Sequence, residues 1–242
     1  EYGSFELGRF SYGLFTEYQL PAGSFPWGIG FDGDYIWFTE SVGYKIGRIR
    51  ASGEDRILEY IIPSSYGGGL RGIYVQNKTR VWFADYGAHS VGLLRISPAY
   101  VDVVEWKLPG WNESPSSGPQ SVIFIDGTGA WFVDYDLHRI GNIPDPESGI
   151  VREWQLPPGT YPWDLAADSS GNIWFTESGR DRIGKLNPNT NEITEYITVT
   201  GSQPFGIAID YSNRVWFAEH GRNAIGRYVP GDSAFTEFTR YG

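Results

Sequence analysis

The chain has 242 residues, a formal net charge of −10 and no cysteine, which excludes a disulfide scaffold, a thiolate metal site and a cysteine nucleophile. The acidic balance argues against a nucleic-acid or anionic-membrane partner, because both need a basic face. No apolar run is long enough to span a bilayer, so we expect no membrane-spanning segment. The 32 glycines and the aromatic content of 17% are typical of many short strands and tight turns.

An internal repeat organises the chain. The dipeptide Trp-Phe recurs five times, at spacings of 45, 49, 43 and 42 residues. Each repeat has four short apolar segments separated by turn residues, which predicts four antiparallel strands, and no segment has helical periodicity. In chain order, the predicted units of a single domain are a half unit over 1–20 and complete units over 26–63, 70–109, 119–157, 162–199 and 204–239.

The strand pattern predicts a β-propeller. In a strand such as Ile36 to Thr39, neighbouring apolar side chains point to opposite faces, so both faces need cover. Sheets stacked around an axis provide that cover. We therefore predict an all-β propeller of four-stranded blades, with five complete blades plus a half blade in this chain and a six- or seven-bladed ring if it closes. Because closure hides strand edges, we expect the missing strands from an upstream segment or another chain, as in a larger assembly, unless a whole further blade is absent too.

The repeat also carries a family resemblance. Its motif reads P-x-G-I, W-F-T-E, I-G-R/K and T-E-Y, as in Pro26 to Ile29, Trp37 to Glu40, Ile46 to Arg48 and, for its last two letters, Glu59-Tyr60. Over nearly all of residues 7–238 it resembles the virginiamycin B (streptogramin B) lyase family. The resemblance implies about seven blades, a Mg²⁺ ion, and non-hydrolytic opening of a cyclic depsipeptide by proton abstraction and ester elimination. It also implies catalytic histidines in a P-H-G turn before the innermost strand, and carboxylates that include the Glu of W-F-T-E.

This chain departs from the family at the histidine position. The five complete repeats hold Trp27, Arg71, Gln120, Trp163 and Phe205 there. None of these side chains can serve as the near-neutral base that an elimination needs. No acid lies two residues earlier, where the repeats have Phe25, Gly69, Gly118, Tyr161 and Gln203. We therefore favour a protein that is not an enzyme, and a histidine in sequence outside this chain would keep the lyase alternative open.

The residues at the histidine position form a candidate ligand site of their own. In a propeller, Trp27, Arg71, Gln120, Trp163 and Phe205 would lie at one mouth of the central channel. Aromatic faces flanked by hydrogen-bonding groups suit sugars, peptides or a partner's loop. The alternative is that these side chains only fill the channel as packing.

Acids and histidines at strand ends give two candidate metal sites. Each second strand ends in a carboxylate: Glu40, Asp85, Asp134, Glu177 and Glu219. This ring could hold Mg²⁺ or Ca²⁺, but we favour pairing with bases, because the repeats with Glu carry Arg48, Lys185 or Arg227 on the adjacent strand. His89 and His138 each follow an aspartate by four residues, so His89, His138, Asp85 and Asp134 are the second candidate.

Three functions follow from these patterns. We favour a non-catalytic binding or scaffold propeller of an exported protein or assembly, which contacts a protein partner through its rim or channel mouth. The alternatives are a Mg²⁺-dependent carbon-oxygen lyase of the streptogramin type and a carbohydrate-binding propeller with a glycan partner. Because the chain has no methionine, residue 1 is not a natural start, and we expect a processed chain that is extracellular or at the cell surface.

Overall fold

The computed structural model describes residues 6–11, 13–52, 56–63, 69–110 and 118–239. Within them the regular elements are twenty-two β-strands and one 3-10 turn, His220–Arg222. No helix in this described part has the length and apolar character to cross a membrane. The chain divides into two compact units, residues 1–124 and 125–242.

The strands pair antiparallel, in chain order, into six sheets. The first is a hairpin of β1 (Glu6–Ser11) and β2 (Leu14–Gln19), and the other five sheets have four strands each. These five are β3 (Pro26–Phe31), β4 (Tyr35–Glu40), β5 (Lys45–Arg50), β6 (Leu58–Ile61); β7 (Leu70–Asn77), β8 (Arg80–Asp85), β9 (Ser90–Ile96), β10 (Val101–Lys107); β11 (Pro119–Ile125), β12 (Gly129–Asp134), β13 (Arg139–Ile143), β14 (Arg152–Gln155); β15 (Pro162–Ala167), β16 (Ile173–Glu177), β17 (Arg182–Asn187), β18 (Glu192–Ile197); β19 (Pro204–Ile209), β20 (Val215–Glu219), β21 (Ala224–Val229), β22 (Ala234–Thr239). The prediction of four-stranded blades, five complete and one half, is confirmed.

The phenylalanine of the Trp-Phe motif and a glycine of the third strand belong together in every complete blade. Trp174 and Phe175 are both buried, and Phe175 lies directly opposite Gly184 on β17. A Cβ atom at Gly184 would overlap the Phe175 ring, so only glycine leaves room for it. The same relation holds for the pairs Phe38–Gly47, Phe83–Gly92, Phe132–Gly141 and Phe217–Gly226.

Each tryptophan of the motif is held by a hydrogen bond from its indole N–H. Trp174 Nε1 donates to Asp168 Oδ2 at 2.9 Å, and Asp168 Oδ1 also accepts the backbone amides of Ser170 and Asn172. One carboxylate therefore shapes the turn between the first two strands and satisfies a buried indole. Trp37 and Trp216 donate in the same way to Asp32 and Asp210, both at 2.8 Å.

The innermost strands carry a β-bulge where they begin. The register shifts between Pro162 and Leu165, and again in three other blades, between Pro26 and Ile29, Leu70 and Ile73, and Pro204 and Ile207. A bulge turns the side chains within it away from the regular alternation of the strand. Trp27, Arg71, Trp163 and Phe205, which hold the family's histidine position, lie in these bulges.

Candidate functional site

In residues 1–124, an arginine lies between two aromatic rings. The Arg71 guanidinium carbon is 3.8 Å from the centroid of the Trp27 ring and 4.9 Å from that of Tyr86. The backbone carbonyl of Arg71 accepts a hydrogen bond from Thr39 Oγ1 at 2.6 Å. Gln120, the third predicted residue of this unit, is buried. The positively charged guanidinium group of Arg71 thus makes cation–π contacts with two aromatic rings.

In residues 125–242, the predicted residues join an extended group of stacked rings. Trp163 and Phe205 are stacked with centroids 4.3 Å apart and planes 9° apart, and Phe205 and His220 follow at 4.5 Å and 6°. Tyr135 meets Trp163 edge-on at 5.5 Å and also contacts Tyr161 at 5.0 Å. We call Tyr135, Tyr161, Trp163, Phe205 and His220 the aromatic pile. Four of the five predicted ligand residues, all except Gln120, thus take part in stacking or cation–π contacts. A central channel with these residues at its mouth stays a prediction.

Besides Tyr161, sequence reasoning missed three members of these groups that share one repeat position: Tyr86, Tyr135 and His220. Each directly follows the acid that ends a second strand, Asp85, Asp134 or Glu219. The other two complete repeats have a small residue at this position, Ser41 or Ser178. A ring-bearing residue thus occurs at this repeat position in three of the five complete repeats, and this pattern was the signal that could have predicted their ring contacts.

The five strand-ending acids are buried, with side chains of the three glutamates and two aspartates all inside their blades. Asp85 Oδ1 accepts the amide of Ala88 at 3.0 Å, and Asp134 Oδ1 accepts the amide of Leu137 at 3.3 Å. The two aspartates thus close the turns that follow them.

The three glutamates have strongly altered acidity. Burial raises the pKa of Glu40, Glu177 and Glu219 to about 7 in each case. A second glutamate on the fourth strand of each blade, Glu59, Glu195 or Glu237, adds to the increase in pKa by charge repulsion. These carboxyl groups can therefore gain or lose a proton near neutral pH.

The bases expected to pair with these glutamates do not do so. The register places Arg48 opposite Trp37, Lys185 opposite Trp174 and Arg227 opposite Trp216. Their cationic groups lie 5.0, 5.7 and 5.5 Å from the centroids of those tryptophan rings. The predicted partners were wrong because the antiparallel register brings Lys45 and Arg182, three residues earlier, opposite Glu40 and Glu177. Glu177 does lie near a base, since its Oε2 is 3.7 Å from Arg180 Nη1.

The two predicted metal-site histidines occupy one position of the turn before the third strand. His89 and His138 have φ of 50° and 52°, in the left-handed region. His138 Nδ1 and Nε2 lie 3.2 and 3.3 Å from the amide nitrogens of Tyr161 and Gly159. Burial lowers the pKa of His138, which favours the neutral ring. A neutral ring has one unprotonated nitrogen, so His138 accepts one of these two amides and holds the loop that leads into the next blade.

The next blade uses an aspartate for the same purpose. Asp181 also has a left-handed φ, 52°, and its carboxylate accepts the amides of Gly201 at 2.7 Å and Gln203 at 2.9 Å. Among the residues that the structure describes, no three histidine, aspartate or glutamate side chains gather as metal ligands. The described residues thus supply no group of three such ligands for the Mg²⁺ ion that the resemblance implies. The candidate metal site of His89, Asp85, His138 and Asp134 draws on both units and stays a prediction.

Comparison with known proteins places these features in a family. The profile of the Virginiamycin B lyase family matches residues 105–239. A catalytically inactive histidine-to-alanine variant of virginiamycin B lyase from Staphylococcus aureus, solved with quinupristin, is similar at 27% identity and a TM-score of 0.84, with 98% of this chain and 78% of that chain covered. A streptogramin B lyase structure is similar at 25% identity and a TM-score of 0.86, covering 100% and 78%.

More distant matches extend the likeness in fold alone. A chain of the nidogen/laminin complex is 14% identical with a TM-score of 0.71, covering 98% of this chain and 90% of its own. No curated protein sequence matches the chain. The β-propeller fold is confirmed by these structures, and since the family profile covers more than half of the sequence, the chain belongs to the virginiamycin B lyase family.

Proposed function

We propose that this chain is a non-catalytic binding propeller that holds a peptide, or the loop of a protein partner, on its aromatic pile. The observation that carries the proposal concerns the family's histidine position. Trp163 and Phe205 occupy this position in two blades, and their rings are stacked on each other. Neither ring can accept a proton from a substrate. Aromatic surfaces of this kind supply much of the energy with which proteins hold apolar peptide side chains.

A relative supports a peptide as the ligand. The S. aureus virginiamycin B lyase was solved with quinupristin, and the resemblance noted above concerns cyclic depsipeptides. Quinupristin is therefore the probe with which to test binding. Location outside the cell, and a place in a larger assembly, are also part of this proposal.

The binding experiment is a titration of the protein with quinupristin, followed by tryptophan fluorescence. We expect Phe205→Ala to weaken binding about tenfold or more, because it removes the central ring between Trp163 and His220. Tyr211→Ala is the matched control, since Tyr211 is a fully exposed aromatic residue of the same unit. Equal weakening by both variants, or binding that Phe205→Ala leaves unchanged, would contradict the proposal.

A second candidate function is the family's lyase activity, which one cavity favours. A cavity of about 450 Å³ is lined by Phe205, Glu219 and His220, among others. With its pKa raised to about 7 by burial, Glu219 has the acidity of a general base at neutral pH. Ring opening of quinupristin by the natural chain that is lost in Glu219→Gln would put this candidate first.

A further inference from the structure

We propose that a cavity between the blade of β11 to β14 and the turn that joins β17 to β18 binds a sugar acid, a monosaccharide unit that carries a carboxylate. The cavity has a volume of about 470 Å³, and its lining includes Trp131, Trp154, Asn142 and Arg152. It is separate from the aromatic pile, none of whose members line it. The proposal therefore does not depend on the function proposed above.

The cavity arises from one substitution in the repeat. Residues that face the Trp of the Trp-Phe motif from the third strand are Arg48, Lys185 and Arg227 in three blades, each with its cation over the ring, and Leu93 in a fourth. Asn142 takes that place opposite Trp131. Because asparagine is shorter than arginine and lysine, the space that these cationic side chains fill over the ring in three other blades is open here.

In this blade the basic residue nearest to that position is on the fourth strand instead of the third. Arg152 lies directly opposite Asn142 on β14, at a position where the equivalent residues are Leu58, Val104, Thr194 and Thr236. The described residues give the Arg152 side chain no hydrogen bond, ion pair or ring contact. An exposed guanidinium at the lining of a cavity, with no partner among the described side chains, fits a planar carboxylate.

The remaining lining suits the ring and hydroxyl groups of a sugar. Trp131 and Trp154 are stacked with centroids 5.3 Å apart, and the Trp154 indole N–H donates to Asn191 Oδ1 at 3.0 Å. The Asn142 amide group donates to the backbone carbonyls of Thr128 and Ala130, so its carbonyl oxygen remains as an acceptor. An indole, side-chain amides and one guanidinium are the groups that together hold polyhydroxylated acids.

The test is an NMR titration that follows the indole N–H signals of Trp131 and Trp154. The probes are D-glucuronic acid, D-glucose as the sugar without the carboxylate, and acetate as the carboxylate without the sugar. We expect glucuronic acid to shift both signals with a dissociation constant on the order of millimolar, and glucose and acetate to bind about tenfold more weakly or not at all. Equal binding of glucose, or of acetate, would overturn the proposal.

Two variants address the site itself. Arg152→Gln removes the proposed carboxylate partner, and Asn142→Arg restores the residue that fills this space in other blades. Each should weaken glucuronic acid binding about tenfold or more, whereas Arg214→Gln, which removes a surface arginine paired with Asp210 in another blade, should not. If Asn142→Arg does not fold, Arg152→Gln alone decides. Unchanged binding in Arg152→Gln, or no shift of either indole signal by glucuronic acid at about 10 mM, would contradict the proposal.

Discussion

The ring of Phe175 lies across Gly184 on the neighbouring strand, in the space that a Cβ atom would need. We expect Gly184→Ala to lower the free energy of unfolding by about 1 to 3 kcal/mol, because the methyl group must displace a fully buried ring. Gly231→Ala is the control, since Gly231 is exposed with open space at its Cβ and should change stability little. Denaturant unfolding of both variants is the measurement. Equal stability of the two would show that the Phe–Gly contact is not a close fit.

The pH dependence of stability should report on Glu177. Burial raises the pKa of this carboxyl group from 4.5 to about 7, so the folded chain holds the proton more tightly than the unfolded chain does. The stabilisation is complete below the unfolded pKa of 4.5 and is lost as the pH rises through about 7. Glu177→Gln stays neutral, and its free energy of unfolding should therefore increase relative to the natural chain by about 1 to 3 kcal/mol between about pH 5 and pH 8.

Unfolding curves at several pH values check this expectation. Glu192→Gln, at an exposed residue of the same blade, is the control and should follow the natural chain. Parallel curves for Glu177→Gln and the natural chain across this range would contradict the raised pKa.

The loop between the last two blades should depend on Asp181. Its carboxylate accepts the amides of Gly201 and Gln203, so Asp181→Ala leaves both donors without this acceptor. We expect hydrogen exchange of these two amides to accelerate about tenfold, with a loss of stability on the order of 1 kcal/mol. Exchange measured by NMR on Asp181→Ala and on the exposed control Asp232→Ala gives the comparison. Unchanged exchange at Gly201 and Gln203 would show that the loop is held by other contacts.

The sequence predicted the blades because their determinants are local and recur. The Trp-Phe pair marks the second strand of a blade, and the apolar-Gly pair marks the third. Their regular spacing along the sequence was therefore enough to predict the order of the strands and the number of strands in each blade. The partner of each basic residue could not be predicted from the sequence, because it depends on the register between neighbouring strands. Arg48 and Glu40 are on neighbouring strands, but the register pairs Glu40 with Lys45 and places Arg48 opposite Trp37.

The candidate site was predictable only in part. Trp163 and Phe205 could be named from the family's motif, and the structure places them in contact. Tyr135 and His220 were missed because their contact with these rings depends on the bulges that open the innermost strands. The cavity over Trp131 could not be predicted from the sequence either. It is recognised only when the structure shows that the equivalent residues of other blades lie over their tryptophan rings.

The central claim, binding without reaction, is tested most directly by incubating the protein with quinupristin and following the antibiotic by reversed-phase chromatography. Chromatography is needed because non-hydrolytic ring opening leaves the mass unchanged. We predict that only cyclic quinupristin is recovered, with or without added Mg²⁺, under conditions in which fluorescence shows it bound. A linear isomer that accumulates with Mg²⁺ and no longer forms with EDTA would contradict the account.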